Sequence, residues 1–286
     1  MAGKLFIVAT PIGNLEDITQ RALRVLREVD VIACEDTRHT QKLLNHFGIS
    51  TKAISYHEHN ERERAAELCQ SIESGKNVAL VSDAGTPLIS DPGFRIVNAA
   101  IERGISLVPV PGATALTTAL AASGLPTDQF LFAGFLPSHA NARRAKLEEL
   151  RANPATLIFY EAPHRIVATL KDARNVVGNR QAAVARELTK LHEEFVRGTL
   201  AELFERFSGK PSVRGEIVLM ISGRGGEPAP AEATTPPEQQ LRARVDQLER
   251  DGLGSKVALK QAARELGIKR ADAYRMMVAQ KNRRSK

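Results

Sequence analysis

The chain has little with which to bind a metal or staple itself with disulfides. Its 286 residues include two cysteines, Cys34 and Cys69, without metal-ligand spacing. The seven histidines form no H-x-x-x-H and accompany no C-x-x-C. No metal site is expected, and the cysteines suit a structural role in a reducing cytosol. No apolar run approaches the roughly 18 residues of a membrane span. The N-terminal M-A-G-K-L-F-I-V-A-T-P lacks a proper h-region and cleavage site, so it reads as a first strand and not a signal peptide. Neither G-x-G-x-x-G nor G-x-x-x-x-G-K-[ST] occurs, which argues against an ordinary dinucleotide fold or a P-loop.

What is present is an ordinary soluble composition, 43% hydrophobic and 26% charged, with its charge unevenly placed. The last 49 residues, Glu238 to Lys286, carry 13 Lys and Arg against 6 Asp and Glu, so the whole formal net charge of +7 sits there and the body is neutral. Such asymmetry points to a polyanionic partner, nucleic acid first.

One stretch organises the rest. Val78 to Val81 reads as a strand buried in a parallel sheet. It runs straight into Ser82-Asp83-Ala84-Gly85-Thr86-Pro87, then Leu88 to Gly93. These small, polar and stiff residues cannot fill a core; Gly85 permits positive φ and close approach of a ligand to the backbone. Ser90 or Asp91 is expected to cap a helix that begins near Pro92. A loop at the carboxyl end of a parallel strand is where open α/β sheets hold ligands.

The first half repeats this pattern. Strands are expected at Leu5 to Ala9, Asp30 to Cys34, Lys52 to Tyr56 and Ile105 to Val110, with helices at about Asp17 to Val29, through His46, Asn60 to Ser74, Gly93 to Arg103, and up to Ala122. The strands end in Gly/Pro-rich or charge-rich turns: Thr10 to Asn14, Glu35 to His39, His57 to Asn60, and Pro109 to Thr114. Those turns should cluster along one sheet edge. Near Ser123 to Asp128 a hinge is expected. The second half shows strands at about Phe130 to Gly134, Ala155 to Tyr160, Ala182 to Ala185, Glu194 to Gly198 and Glu216 to Ile221. Helices fall at about Ala140 to Arg151, His164 to Val177 and Leu200 to Phe207. Polar insertions at Pro137–His139, Tyr160–Arg165 and Arg186–Glu193 can line a cleft facing the first half. The expected domains are therefore 1–122 and 123–223, both α/β, then a Pro/Gly/Ala-rich linker at 224–237 and a basic helical module at 238–286. Segments Glu238 to Arg250, Lys256 to Leu266 and Arg270 to about Gln280, turned at Gly267, suggest a helix-turn-helix presenting Lys269, Arg270 and Arg275.

The strings T-P-I-G-N-L-E-D-I, C-E-D-T-R-H-T, H-E-H-N, S-D-A-G-T-P-L-I-S-D-P-G, P-G-A-T-A, Y-E-A-P-H-R and R-E-L-T-K-L-H-E occur in this order. Together they resemble the bacterial ribosomal RNA small subunit methyltransferase I family, within the tetrapyrrole methylase-like class of S-adenosylmethionine enzymes. The likeness runs from about Leu5 to Ile221 and extends to the helical appendage. It implies two α/β domains with the cofactor cleft between them, 2′-O-ribose methylation of cytidine 1402 in 16S rRNA, a cytoplasmic location and a homodimer. Under that resemblance Pro11, Asp83, Ala84, Gly85, Thr86, Leu88, Gly112, Ala113 and Thr114 suit the methyl donor, since small residues expose their backbone. Tyr160 and Leu188 reach it from the other domain.

The acceptor side stays open. Glu35, Asp36 and Glu187 are the candidate catalytic carboxylates, with His57 and Glu161 also placed to polarise a hydroxyl. Arg38, His57, Arg165, Arg186 and Lys190 are candidates for holding the substrate, the arginines through two-pronged contacts to phosphates. The C-E-D-T-R and R-E-L-T-K turns are expected to face each other across the RNA entrance. Two other functions keep a place: a methyltransferase of the same fold acting on a corrin-type small molecule or making diphthine, and a ligand-sensing regulator that reads DNA.

Overall fold

The computed structural model describes residues 2–225, 237–250, 253–265, 268, 272, 273 and 275. The chain divides into two compact units, Met1–Pro228 and Ala229–Lys286.

The first unit holds two five-stranded sheets. In the first, β1 (Lys4–Val8), β2 (Val31–Cys34), β3 (Ala53–Ser55), β4 (Val78–Val81) and β5 (Ser106–Val110) lie in the order β3-β2-β4-β1-β5. Every pairing is parallel. The crossovers are α1 (Gln20–Glu28), α2 (Thr37–His46), α3 (Glu61–Glu73) and α4 (Phe94–Glu102). Parallel strands need such helices on both faces, and β4, buried at all four positions, shows the result. Leu5, Leu80, Leu68, Ile72 and Ile96 fill one face, and Val8, Leu26, Ile32 and Leu44 the other.

Two helix starts differ from the sequence reading. Helix α1 begins at Gln20, because Thr19 caps it through the Ala22 amide at 3.1 Å. The preceding Leu15–Asp17 forms a separate single 3-10 turn under Asn14. Helix α4 begins at Phe94 behind Gly93, and neither Ser90 nor Asp91 caps it. Left-handed Ser90 (φ 66°) and Gly93 (φ 137°) bend the chain first, so Pro92 stays in the loop.

Helix α5 (Ala115–Ala121) leads into the second sheet. Its strands are β6 (Phe130–Phe135), β7 (Thr156–Glu161), β8 (Gln181–Arg186), β9 (Glu194–Thr199) and β10 (Ile217–Ile221), in the order β6-β7-β10-β8-β9. Only β6 and β7 are parallel; β10 runs antiparallel between β7 and β8. Helices α6 (Ala140–Leu150), α7 (Ile166–Val177) and α8 (Leu200–Ser208) cover one face. The other face packs Ile158, Ala185, Val218 and Met220 against Ile12, Ala119 and Leu120, joining the two lobes in one apolar cluster. Arg197 reinforces the join by donating to the carbonyls of Ala122 and Ser123.

The second unit contains α9 (Pro237–Arg250) and α10 (Ser255–Glu265), packed through Leu241, Val245, Leu248, Ala258 and Ala262. The expected linker beyond Gly225, Gly267, Lys269, Arg270 and most of the third helical segment lie outside the described residues. Among the described residues no helix is long and apolar enough to cross a membrane.

Candidate active site

The loops after β1, β4 and β5 are tied into one edge. The Thr10 amide donates to the Gly85 carbonyl at 2.8 Å, and the Gly85 amide returns to Thr10 at 3.1 Å. The Thr10 hydroxyl donates to the Ser82 carbonyl at 3.1 Å. Thr86 Oγ1 donates to the Ala113 carbonyl at 3.4 Å. Gly85 is left-handed (φ 84°), and a Cβ there would press on Ile12 at 3.4 Å.

Across the cleft, the turn after β8 is clamped by charge. Lys190 Nζ donates to Glu187 Oε1 at 3.0 Å and to Glu216 Oε2 at 3.2 Å. The Glu216 amide donates to Glu187 Oε1 at 3.2 Å. The stem of Lys190 crosses the first lobe at Gly13, where a Cβ would come within 2.5 Å of Lys190 Cγ.

Among the described residues, the non-glycine residues with positive φ are Leu88, Ser90, Glu187 and Thr189. All four belong to these two facing loops. Such backbone is costly for L-residues and collects where surrounding structure imposes it, most often at functional sites.

Between the loops lies a cavity of about 670 Å³, inside the roughly 300–1,000 Å³ range of small-molecule sites. Of the candidate residues it brings together Asp83, Ala84, Gly85, Thr86 and Thr114 from the first lobe, and Tyr160, Glu161, Glu187, Leu188 and Lys190 from the second. It adds residues that the sequence reading did not select as ligands, notably Ile89, Asp91, Phe135, Gly215 and Glu216. Phe135 and Phe132 meet the Tyr160 ring edge-on at 5.7 and 4.8 Å.

The cavity is acidic. Burial pushes the Asp91 carboxyl up to about 6, with Glu35 and Asp83 adding repulsion and a hydrogen bond from Ser82 acting the other way. The Lys190 hydrogen bond holds Glu187 below the ordinary carboxylate range. Burial alone would lower Lys190, but its bonds to Glu187 and Glu216 prevail and raise it. Burial raises the Tyr160 hydroxyl, partly offset by hydrogen bonds with the Leu116 backbone and Thr114.

The other candidates lie outside this cavity. Pro11 lines a smaller neighbouring one. Leu88 turns inward, against the position a Gly93 Cβ would take. Gly112 lies close on Ala9, and Ala113 packs in the interlobe cluster. Asp36 caps α2 by accepting from the Arg38 amide at 2.8 Å. The Arg38 guanidinium folds back on the same carboxylate, 88% exposed, and holds Asp36 down at about 2. The C-E-D-T-R turn touches the cavity wall through one bond, from the Asp36 amide to Asp83 Oδ1 at 3.1 Å. Glu35 is largely exposed, yet partial desolvation of its carboxyl, then repulsion from Asp83, raises its pKa. The His57 amide donates to Asn60 at 2.9 Å, while its buried Nδ1 has no hydrogen-bond partner. Arg165 serves the fold: it donates to the Leu136 and Pro137 carbonyls at 2.5 and 3.1 Å and lies 3.2 Å from Glu161. Arg186 pairs with Glu194 at 3.0 Å and with the Arg214 carbonyl.

A parallel β/α lobe joined to a mixed lobe, with a strained cavity between them, is the architecture of a methylase class. Residues 4–203 match the family model for tetrapyrrole (corrin/porphyrin) methylases. A ribosomal RNA small subunit methyltransferase I of Halalkalibacterium halodurans is 49% identical over 275 residues, covering 95% of this chain and 93% of that one. The protein of that name from Synechocystis is 48% identical, with 96% and 97% covered. A solved uroporphyrin-III-C-methyltransferase from Thermus thermophilus shares the fold at a TM-score of 0.54 and 21% identity, covering 77% of this chain and 94% of that one. The chain belongs to the tetrapyrrole methylase family and, within it, to the group of relatives named ribosomal RNA small subunit methyltransferase I.

Proposed function

We propose that this protein transfers a methyl group from S-adenosylmethionine to a ribose 2′-hydroxyl of 16S rRNA, at the cytidine the resemblance designates, position 1402. The observation that carries the reading is the interlobe cavity, where left-handed residues of two lobes converge. The near full-length relatives supply the RNA substrate by their name.

The cavity suits the donor. It offers small residues at Asp83–Thr86, apolar surface from Ile12, Leu188 and Val218, and carboxylates at Asp83, Asp91, Glu187 and Glu216. When bound, S-adenosylmethionine supplies an electrophilic methyl carried on a positive sulfur. The carboxylates favour a cation, and the left-handed turns of the two loops are formed before any ligand arrives. Preorganised alignment of this kind is worth effective molarities of about 10⁵–10⁸ M. A ribose hydroxyl gains from a group that accepts its proton. Asp91 is the cavity carboxylate suited to that task, whereas Glu187 is committed to Lys190 and the Glu216 amide, and Glu35 and Asp36 act on the hydroxyl only at a distance. Arg38, exposed at the N-terminus of α2 and released from Asp36, and the basic second unit supply salt-sensitive contacts to flanking phosphates. The same reading carries a cytoplasmic location and a homodimeric working form.

The test is label transfer. The protein is incubated with methyl-labelled S-adenosylmethionine and with 16S rRNA or small subunits lacking the modification. The expected product is a single 2′-O-methylcytidine, located by nuclease mapping. Label in a small molecule, or in no acceptor, overturns the proposal.

A further inference from the structure

The smaller cavity beside the donor pocket is not used by the reading above. It measures about 260 Å³ and is lined by Thr10, Pro11, Gly13 and Leu15 of the first loop, by His39, Thr40, Lys42 and Leu43 of α2, and by Ser82 and Asp83. Asp83 lines both cavities. Along the first loop Pro11 and Gly13 face the small cavity while Ile12 between them faces the large one. One residue layer therefore separates the two spaces.

Their chemistry differs. The large cavity gathers carboxylates, which suits a cationic donor and repels phosphate. The small one has Asp83 as its single carboxylate, and that group already accepts the Asp36 amide. The same lining holds His39 and Lys42, whose side chains carry no ion pair among the described residues. Pro11, Leu15 and Leu43 add flat apolar surface. The Thr10 and Ser82 hydroxyls are already committed to backbone carbonyls. The volume lies below the roughly 300 Å³ at which small-molecule sites begin, so the space fits one ring system and not a second cofactor. An apolar slot with a cationic rim is how proteins take an unstacked base and its phosphate from single-stranded RNA.

We propose that this cavity receives the base of the acceptor nucleotide, with Lys42 on its phosphate, so that the ribose lies at the Asp83 wall facing the donor. The assignment rests on the RNA-methylation reading. It makes Leu15, His39 and Lys42 substrate-positioning residues and explains how an acidic donor pocket works on a polyanion: the phosphate is held on the far side of the wall.

The experiment uses the full-length protein, small-subunit particles lacking the modification, and two variants. Leu15→Trp fills the slot from a partly exposed position. Lys42→Ala removes the cation. Calorimetry with S-adenosylmethionine reports the donor pocket, and RNA binding against salt reports phosphate contacts. Leu15→Trp should raise KM for RNA by about tenfold, the scale of one stacked base, with donor affinity kept. Lys42→Ala should make the salt slope shallower by about 0.7, the share of one phosphate on a single strand. Unchanged KM and slope in both variants overturn the assignment. Loss of donor affinity in both also overturns it, since the slot would then belong to the donor. If the unaltered protein transfers no label to RNA, the functional reading itself fails, which is a distinct result.

Discussion

The two loops that face each other across the interlobe cavity reach the same unusual backbone by opposite means. The one after β4 does so with residue types: Gly85 and Gly93 turn the chain, Pro87 and Pro92 restrict it, and Leu88 is held left-handed between them. The one after β8 has neither glycine nor proline between Glu187 and Glu193. There Glu187 and Thr189 are held left-handed by ionic and side-chain bonds, with Lys190 bridging Glu187 and Glu216, and Glu193 accepting the Thr189 amide at 2.7 Å. The first device is steric and indifferent to salt. The second is electrostatic, partly exposed and open to titration. The cleft thus has one fixed wall and one whose rigidity depends on the solution.

The largest effect should come from breaking the fixed wall. In Gly93→Ala the new Cβ would lie 2.8 Å from Leu80 Cδ2 and 3.1 Å from Leu88, at a φ of 137°. Backbone strain and overpacking together should cost on the order of 3 kcal/mol. Urea unfolding should show that loss equally at low and high salt. A salt-dependent loss would contradict the steric account.

Asp91 gives a smaller effect with a pH signature. Its native value of about 6 lies above the ordinary 3.8, so the folded chain binds the proton more tightly than the unfolded chain. The native state is therefore favoured most below about pH 4, and stability falls as pH rises toward about 6. Discounted for partial exposure, the cost at neutral pH is about 1 kcal/mol. Asp91→Asn should recover that amount at neutral pH and nothing near pH 4. Equal gains at both would mean the carboxyl is not the cause.

This contrast also sets what could be read from the sequence. The β4 loop was legible because its conformation is written in residue types. Small, stiff residues directly after V-A-L-V mark a turn that cannot fill a core, and this one lines the cavity. The parallel sheet was legible for the same local reason: four-residue apolar runs alternate with helical stretches. Asp91 was misread as a cap, since S-D-P before an apolar run is also a helix start; φ at Ser90 and Gly93 decides otherwise. Gly215, Glu216 and Phe135 could not be read as cavity residues at all. They reach the cavity because β10 inserts between β7 and β8 and because β6 pairs with β7, long-range pairings that no local pattern encodes. Arg165 and Arg186 are phosphate-holding candidates by sequence, yet one braces carbonyls of the β6–α6 connection and the other pairs with Glu194.

The smallest effect tests the electrostatic wall. Glu187 is held below its ordinary value chiefly by Lys190, so its bonds add stability above the ordinary carboxylate range and lose it as pH falls. Both side chains keep some solvent contact, 21% and 30%, which limits the pair to less than about 1 kcal/mol. Glu187→Gln should therefore unfold only slightly earlier at neutral pH and low salt. The difference should vanish near 1 M salt, where screening acts within about 3 Å. Its effect on donor affinity should follow the same salt dependence, because a loosened turn no longer presents Leu188 to the cavity. If donor affinity falls as much at 1 M salt as at low salt, Glu187 contacts the bound ligands directly, and the second wall is not held by charge alone.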